Sequence, residues 1–238
     1  MKKIIASLLL ITLPVLSASA HYLWVETNGT GTLGQTHEVR VYYGEFSYGV
    51  IEKVNGEAFT KVSKFTLWVI APDGTKTKLK TEAKEDHYLA NFTPSKNGVY
   101  TLALNNNEID VIDYTQYDFG IFKTHYHATA KVQVKTDGET KTVNPDGIVV
   151  KQLENNGEGV KLQVLYKGIP LVENELKVYV ADLWSKTLYT DDNGEVSFTL
   201  PWNTKYIVET TTKEEIPGTY IGEDYQFIWH CATYCLIR

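Results

Sequence analysis

The sequence predicts an all-β protein: two Ig-like β-sandwich domains that follow a cleaved signal peptide. Three observations carry this expectation. Apolar and polar residues alternate with period two along most of the chain. Turn-forming residues separate these short runs at the roughly 8–12-residue spacing of sandwich folds. Past the first 20 residues, no stretch keeps a long apolar repeat of helical period. Composition agrees, since 16 Tyr and 5 Trp against a single Met favour strands.

The chain opens with Lys2 and Lys3, then an apolar run over 4–16 interrupted only by Ser7, Thr12 and Pro14. Ala18-Ser19-Ala20 follows, so residues 1–20 read as a secretory signal cut after Ala20. The apolar core is too short for a stop-transfer helix, and no later stretch is long enough to span a bilayer. Cleavage would leave 238 − 20 = 218 residues, enough for one large or two ordinary domains. No cysteine follows the signal, so a lipid anchor is not expected, and the compartment is periplasmic or secreted. A net charge of −6 with both signs interspersed argues against a nucleic-acid surface.

Cleavage after Ala20 makes His21 the first residue of the mature chain. A free α-amine and the ring Nδ1 of one histidine can close a chelate on a single metal ion. With pKa values of about 8 and about 6.5, both become neutral ligands near neutral pH.

The N-terminal domain is expected over 21–140. Residues 39–43, 65–70, 76–80, 88–92 and 98–104 read as strands, with Pro72-Asp73-Gly74 and the 94–97 segment as turns. Residues 124–134 form the most informative strand. Tyr126, Ala128, Ala130, Val132 and Val134 share one face, while His125, His127, Thr129, Lys131 and Gln133 share the other. That spacing lets two imidazoles on the non-core face reach a common ion; the alternative is a solvated face.

Residues 143–147 read as a linker, and the C-terminal domain is expected over 147–238. Its strands fall at 160–166, 176–180, 196–200 and 206–209, with Asp192-Asn193-Gly194 as a tight turn. The last strand, 225–234, carries His230. Cys231 and Cys235 follow in an exported chain, where a disulfide is permitted. On a straight strand, however, four residues span roughly 13 Å, so a bridge would need a turn or kink between them; soft metal ligation or two separate thiols are the alternatives.

His21 is the first candidate metal ligand, with His125 and His127 its first partners and His230 next. His37, at a strand start, and His87, in a charged turn, read as solvated. Glu45 and Asp118 are possible carboxylate ligands. Imidazole and amine donors suit Cu(II), Ni(II) and Zn(II), with copper the tightest by the usual order. The expected cofactor is Cu(II) or Ni(II). No His-Glu-x-x-His, Gly-x-Ser-x-Gly or phosphate-cradling glycine loop is present.

Several segments together look familiar: the signal ending in Ala20 before His21-Tyr-Leu-Trp-Val-Glu, Gly44-Glu45, and Thr124-His125-Tyr126-His127-Ala128-Thr129-Ala130-Lys131. Thr190-Asp-Asp-Asn-Gly-Glu-Val-Ser-Phe and Pro217-Gly218-Thr219-Tyr220 complete the set. The chain resembles a bacterial periplasmic family of unknown function associated with nickel uptake (NikM-like). Its second unit resembles the transthyretin-like or carboxypeptidase-regulatory β-sandwich. The resemblance implies an exported sandwich protein linked to cobalt, nickel or copper, with a metal ion and a membrane metal transporter as partners. An N-terminal histidine accompanied by others also resembles the copper sites of periplasmic copper carriers and of copper-dependent polysaccharide oxygenases. Three readings follow: a metal-binding or metal-delivery protein, an Ig-like structural or interaction module, and a copper oxidase or oxygenase.

Overall fold

The longest strand, Gly120–Val134, has both of its faces covered, and the molecule is arranged around it. In the computed structural model, the described residues are 21–238 apart from 139, 142, 143 and 156–158. The expected signal peptide, 1–20, lies outside them. The first half contains β1 (Tyr22–Thr27), β2 (His37–Glu45), β3 (Val50–Ile51), β4 (Thr66–Ile70) and β5 (Lys76–Lys78). It continues with β6 (Thr81–Ala83), β7 (Tyr88–Phe92), β8 (Gly98–Asn106), β9 (Ile112–Tyr114) and β10 (Gly120–Val134). The second half begins with β11 (Ile148–Asn155), β12 (Gly159–Tyr166), β13 (Ile169–Pro170), β14 (Glu175–Val180) and β15 (Trp184–Tyr189). It ends with β16 (Glu195–Thr199), β17 (Lys205–Glu214), β18 (Gly218–Tyr220), β19 (Glu223–Tyr225) and β20 (Phe227–Ile237). The α-helix among the described residues, Glu57–Thr60, is a single turn. No helix there is long and apolar enough to cross a membrane.

The fold is an all-β sandwich, as the alternating pattern predicts. Its central sheet runs β15-β14-β17-β20-β10-β8-β4-β5, with β9 added beside β10. A second sheet is β1-β2-β7-β6 with β3 on β2, a third is β11-β12-β13 with β16 on β12, and β18 pairs with β19 in a two-stranded ribbon. The closing strand joins the two halves. β20 pairs antiparallel with β17 and parallel with β10, so one sheet runs through both.

Alternation then gives this sheet two cores. Cys231, Cys235 and Ile207 join Leu23, Val41, Leu102, Leu104 and Ala128 on one face. Ala232, Tyr234, Leu236 and Val208 join Ile148, Leu162, Leu176 and Phe198 on the other. Each fully buried Leu or Phe contributes roughly 1.5–3 kcal/mol, so both faces hold β20 firmly. Its hydroxyl-bearing neighbour Thr233 also donates to the Leu23 carbonyl at 3.0 Å, tying the end of the chain to β1.

The tight turn before β16 is built as expected. Asp191 Oδ1 accepts from the backbone N–H groups of Asn193 (2.9 Å) and Glu195 (2.8 Å). Gly194 has φ 70°, and a Cβ there would lie 2.5 Å from the Val164 carbonyl oxygen, so glycine is required. Cys231 and Cys235 are both buried free thiols on one uninterrupted strand. The strand runs unbroken between them, an extended spacing too long for a bridge.

Candidate metal centre

β10 points Tyr126, Ala128 and Ala130 into the first core, so period two turns His125, His127 and Thr129 to the opposite face. In the parallel ladder with β20, His125 is paired with His230. His230 shares its face with Ala232, Tyr234 and Leu236. Three imidazoles, separated by up to 105 residues in sequence, therefore meet at one point of the sheet. One ring nitrogen from each lies within 4.8 Å of the others. The His125 ring centroid is 4.0 Å from that of His127 and 5.2 Å from that of His230. His127 and His230 are 1% exposed, whereas His125 is half-buried.

Hydrogen bonds at the outer nitrogens determine what the inner ones can do. His230 Nε2 donates to Glu214 Oε2 at 3.1 Å, and the Tyr166 hydroxyl sits 3.3 Å from the same nitrogen. Burial would raise the Glu214 carboxyl, but hydrogen bonds from Lys167, His230 and Tyr166 outweigh it and hold it down at about 2. Glu214 is thus an acceptor, and a neutral His230 keeps its lone pair on Nδ1. On the other side, His127 Nδ1 donates to Asn105 Oδ1 at 2.8 Å, which leaves the His127 lone pair on Nε2. Asn105 is itself held by a short hydrogen bond from its Nδ2 to Asn144 Oδ1.

The two inward nitrogens, His127 Nε2 and His230 Nδ1, are 3.0 Å apart. In this tautomer assignment both carry lone pairs, and a cation between them would relieve the repulsion. A proton is a poor candidate. Burial, reinforced by the neighbouring rings of His125 and His230, pushes His127 well below the usual imidazole range. Burial also lowers His230, against the pull of Glu214, and burial with the nearby His230 and Lys123 brings His125 down to about 3. Neutral imidazoles are the form that binds metal. At metal–nitrogen distances near 2.0–2.1 Å, ligand nitrogens stand roughly 2.9 Å apart for a right angle and 3.4 Å for a tetrahedral one. The observed 3.0 Å falls in this window.

The segment joining the two halves packs directly on the site. Gly147 lies against the face of His127, and a Cβ there would come 2.1 Å from ring Cε1 and 2.4 Å from Nε2. Its carbonyl accepts from the Lys167 N–H at 3.0 Å, which fixes it in place. The absence of a side chain at 147 is what lets the chain cross over the imidazole. The His125/His127/His230 group could hold a metal ion.

Of the sequence-derived ligands, His125, His127 and His230 come together, and His21 stands apart. His21 Nε2 pairs with Glu52 Oε1 at 3.0 Å, and its ring packs 5.5 Å from that of Tyr43. Its carbonyl oxygen accepts from the Tyr126 hydroxyl at 3.0 Å, and Tyr126 points to the opposite face of β10 from the trio. β1 packs on that opposite face, which separates His21 from the other three by the thickness of the sheet. His37 is buried rather than solvated: Nε2 lies 2.7 Å from Thr27 Oγ1 and the ring packs on Phe92. His87 Nδ1 pairs with Asp86 at 2.6 Å. Glu45 accepts from Ser47, and Asp118 closes a turn with φ 57°. Sequence reasoning missed Glu214, Asn105, Asn144 and Gly147. None stands at a ligand-like spacing from a histidine.

Residues 18–214 match the family described as a domain of unknown function, DUF4198, and the chain belongs to that family. No curated protein matches it. Among solved structures, Salmonella α2-macroglobulin reacted with methylamine is similar over 91% of this chain at 12% identity, with a TM-score of 0.29. A point variant of the Salmonella protein is similar over 94% at 13% identity, again with a TM-score of 0.29. The chain spans about 15% of the first of these proteins and 16% of the second.

Proposed function

We propose that this is an exported metal-binding protein that takes one Cu(II) or Ni(II) ion through His125, His127 and His230. The observation that carries the reading is the 3.0 Å approach of two buried imidazole lone pairs, His127 Nε2 and His230 Nδ1, with outer nitrogens already committed to Asn105 and Glu214. With both rings in these tautomers, a cation between the two nitrogens relieves their repulsion. Imidazole donors and the usual affinity order favour copper, and the resemblance to NikM-like proteins favours nickel. That resemblance, together with the signal-like residues 1–20, supports a periplasmic role in which the ion passes to a membrane metal transporter.

Competitive titration of Cu(II) and Ni(II) into the processed chain tests the reading. One equivalent should bind with sub-micromolar affinity. His127→Ala and His230→Ala should each weaken it at least 100-fold, while His21→Ala changes it less than 2-fold. Equal affinity in the parent chain and both trio variants, at matched circular-dichroism spectra, would overturn it.

A further inference from the structure

We infer that the metal centre keeps one coordination position for a small free carboxylate, which enters beside His125 and His127 and is selected by the side-chain amide of Asn144. The inference rests on the metal-binding reading and adds the ligand class to it.

Three nitrogen donors leave a divalent ion of this kind at least one open position. The direction of that position follows from what surrounds the trio. The back of His230 is closed by Glu214 and Tyr166. A cavity of about 190 Å³ lies against His125 and His127 and does not reach His230. Such a volume holds a few waters or one small organic acid.

Asn144 lines the same cavity and is 2% exposed. Its Oδ1 is used by Asn105, whereas its Nδ2 is buried and has no hydrogen-bond acceptor. A buried donor with no acceptor is unusual, and here it borders a cavity next to a metal-binding trio. A carboxylate bound to the ion through one oxygen can offer its second oxygen to Asn144 Nδ2, satisfying both vacancies with one group.

Charge at the mouth sharpens the assignment. Lys64 borders the cavity, but so do Glu108 and Asp146. Without the ion the opening does not attract an anion; with the ion inside, the balance reverses. Carboxylate binding should therefore depend on metal loading. Asn144 also links the two roles without merging them, since its Oδ1 supports Asn105 and His127 while its Nδ2 has no acceptor of its own.

The test is an acetate titration of the Cu(II)-loaded chain at constant ionic strength, read by the visible copper bands and by electron paramagnetic resonance. Asn144→Asp keeps the Oδ1 acceptor for Asn105 and replaces the donor by an acceptor; Asn144→Ala removes the donor without adding charge. The expected result is a saturable millimolar shift in the parent chain, weakened at least 10-fold in both variants. Each variant is titrated at saturating Cu(II), so that the acetate response is read on the loaded form. Acetate should give no heat with the metal-free chain. A chain that binds Cu(II) but gives no acetate response, or the same response in both variants, would overturn the inference and leave the metal site standing. A chain that binds no Cu(II) overturns both.

Discussion

The two faces of β10 and β20 offer a comparison within one sheet. Both faces are built from the same strands in the same register, yet one carries Tyr126, Ala128, Ala130, Cys231 and Cys235, and the other carries His125, His127, Thr129 and His230. The first face is filled by the apolar side chains of β1, β2 and β8. Beside the histidines, the second is closed by the connecting segment at Gly147 and by Glu214. Burial alone does not separate them, because His127 and His230 are as buried as the core. What separates them is polar satisfaction. The apolar face is held mainly by packed side chains, while on the histidine face two ring nitrogens face one another.

The comparison can be broken most severely at Gly147. Gly147→Ala puts a carbon 2.1 Å from the His127 ring, so the ring must leave its position. Metal affinity should fall more than 100-fold while the first core persists, read by titration alongside near-ultraviolet circular dichroism. On the apolar face, Leu104→Ala removes a fully buried side chain and should cost about 2–5 kcal/mol in urea unfolding. The folded fraction should bind metal with unchanged affinity. A change in affinity there would mean that the two faces are not independent.

Glu214→Gln is a finer probe, since it keeps the shape around His230 and removes the anion that fixes its tautomer. Loss of such an outer partner typically weakens a metal site 10–100-fold, and that is the range expected by competition titration. Metal binding indifferent to Glu214 would remove the tautomer argument.

The smallest expected effect lies on the apolar face and concerns pH. Burial pushes the Glu209 carboxyl up to about 8, Glu45 adds to the rise, and Lys177 opposes it. Its folded value is above its unfolded one, so between about pH 4.5 and 8 the folded state holds more protons. Stability from this group is complete below that window and is lost as pH rises through it. Glu209→Gln should flatten this decline, raising the melting temperature by a few degrees at pH 8 and little at pH 5.

Much of this arrangement was legible in the chain. Period two placed His125 and His127 together on the face away from Tyr126 and Ala128, and Asp192-Asn193-Gly194 marked the turn before β16. The all-β class followed from the same alternation. The link that makes the site was not legible. Parallel pairing of β10 with β20 brings His230 beside His125 across 105 residues, and nothing local announces it. Alternation also identifies faces without saying what covers them, so the histidine face read equally well as solvated. His21 was attractive for its chemistry, a chelating terminus, but β1 lies against the opposite face of the sheet. Glu214 and Asn105 act through single long-range hydrogen bonds, which leave no trace in spacing.

The central claim is that one ion sits between His127 and His230, with His125 as third ligand. Anomalous diffraction at the copper edge from Cu(II)-loaded crystals tests it most directly. One strong peak is expected roughly 2.0–2.1 Å from His127 Nε2 and His230 Nδ1, with His125 closing onto it. A fully occupied peak at His21 instead, with His127 and His230 still in direct contact, would contradict it.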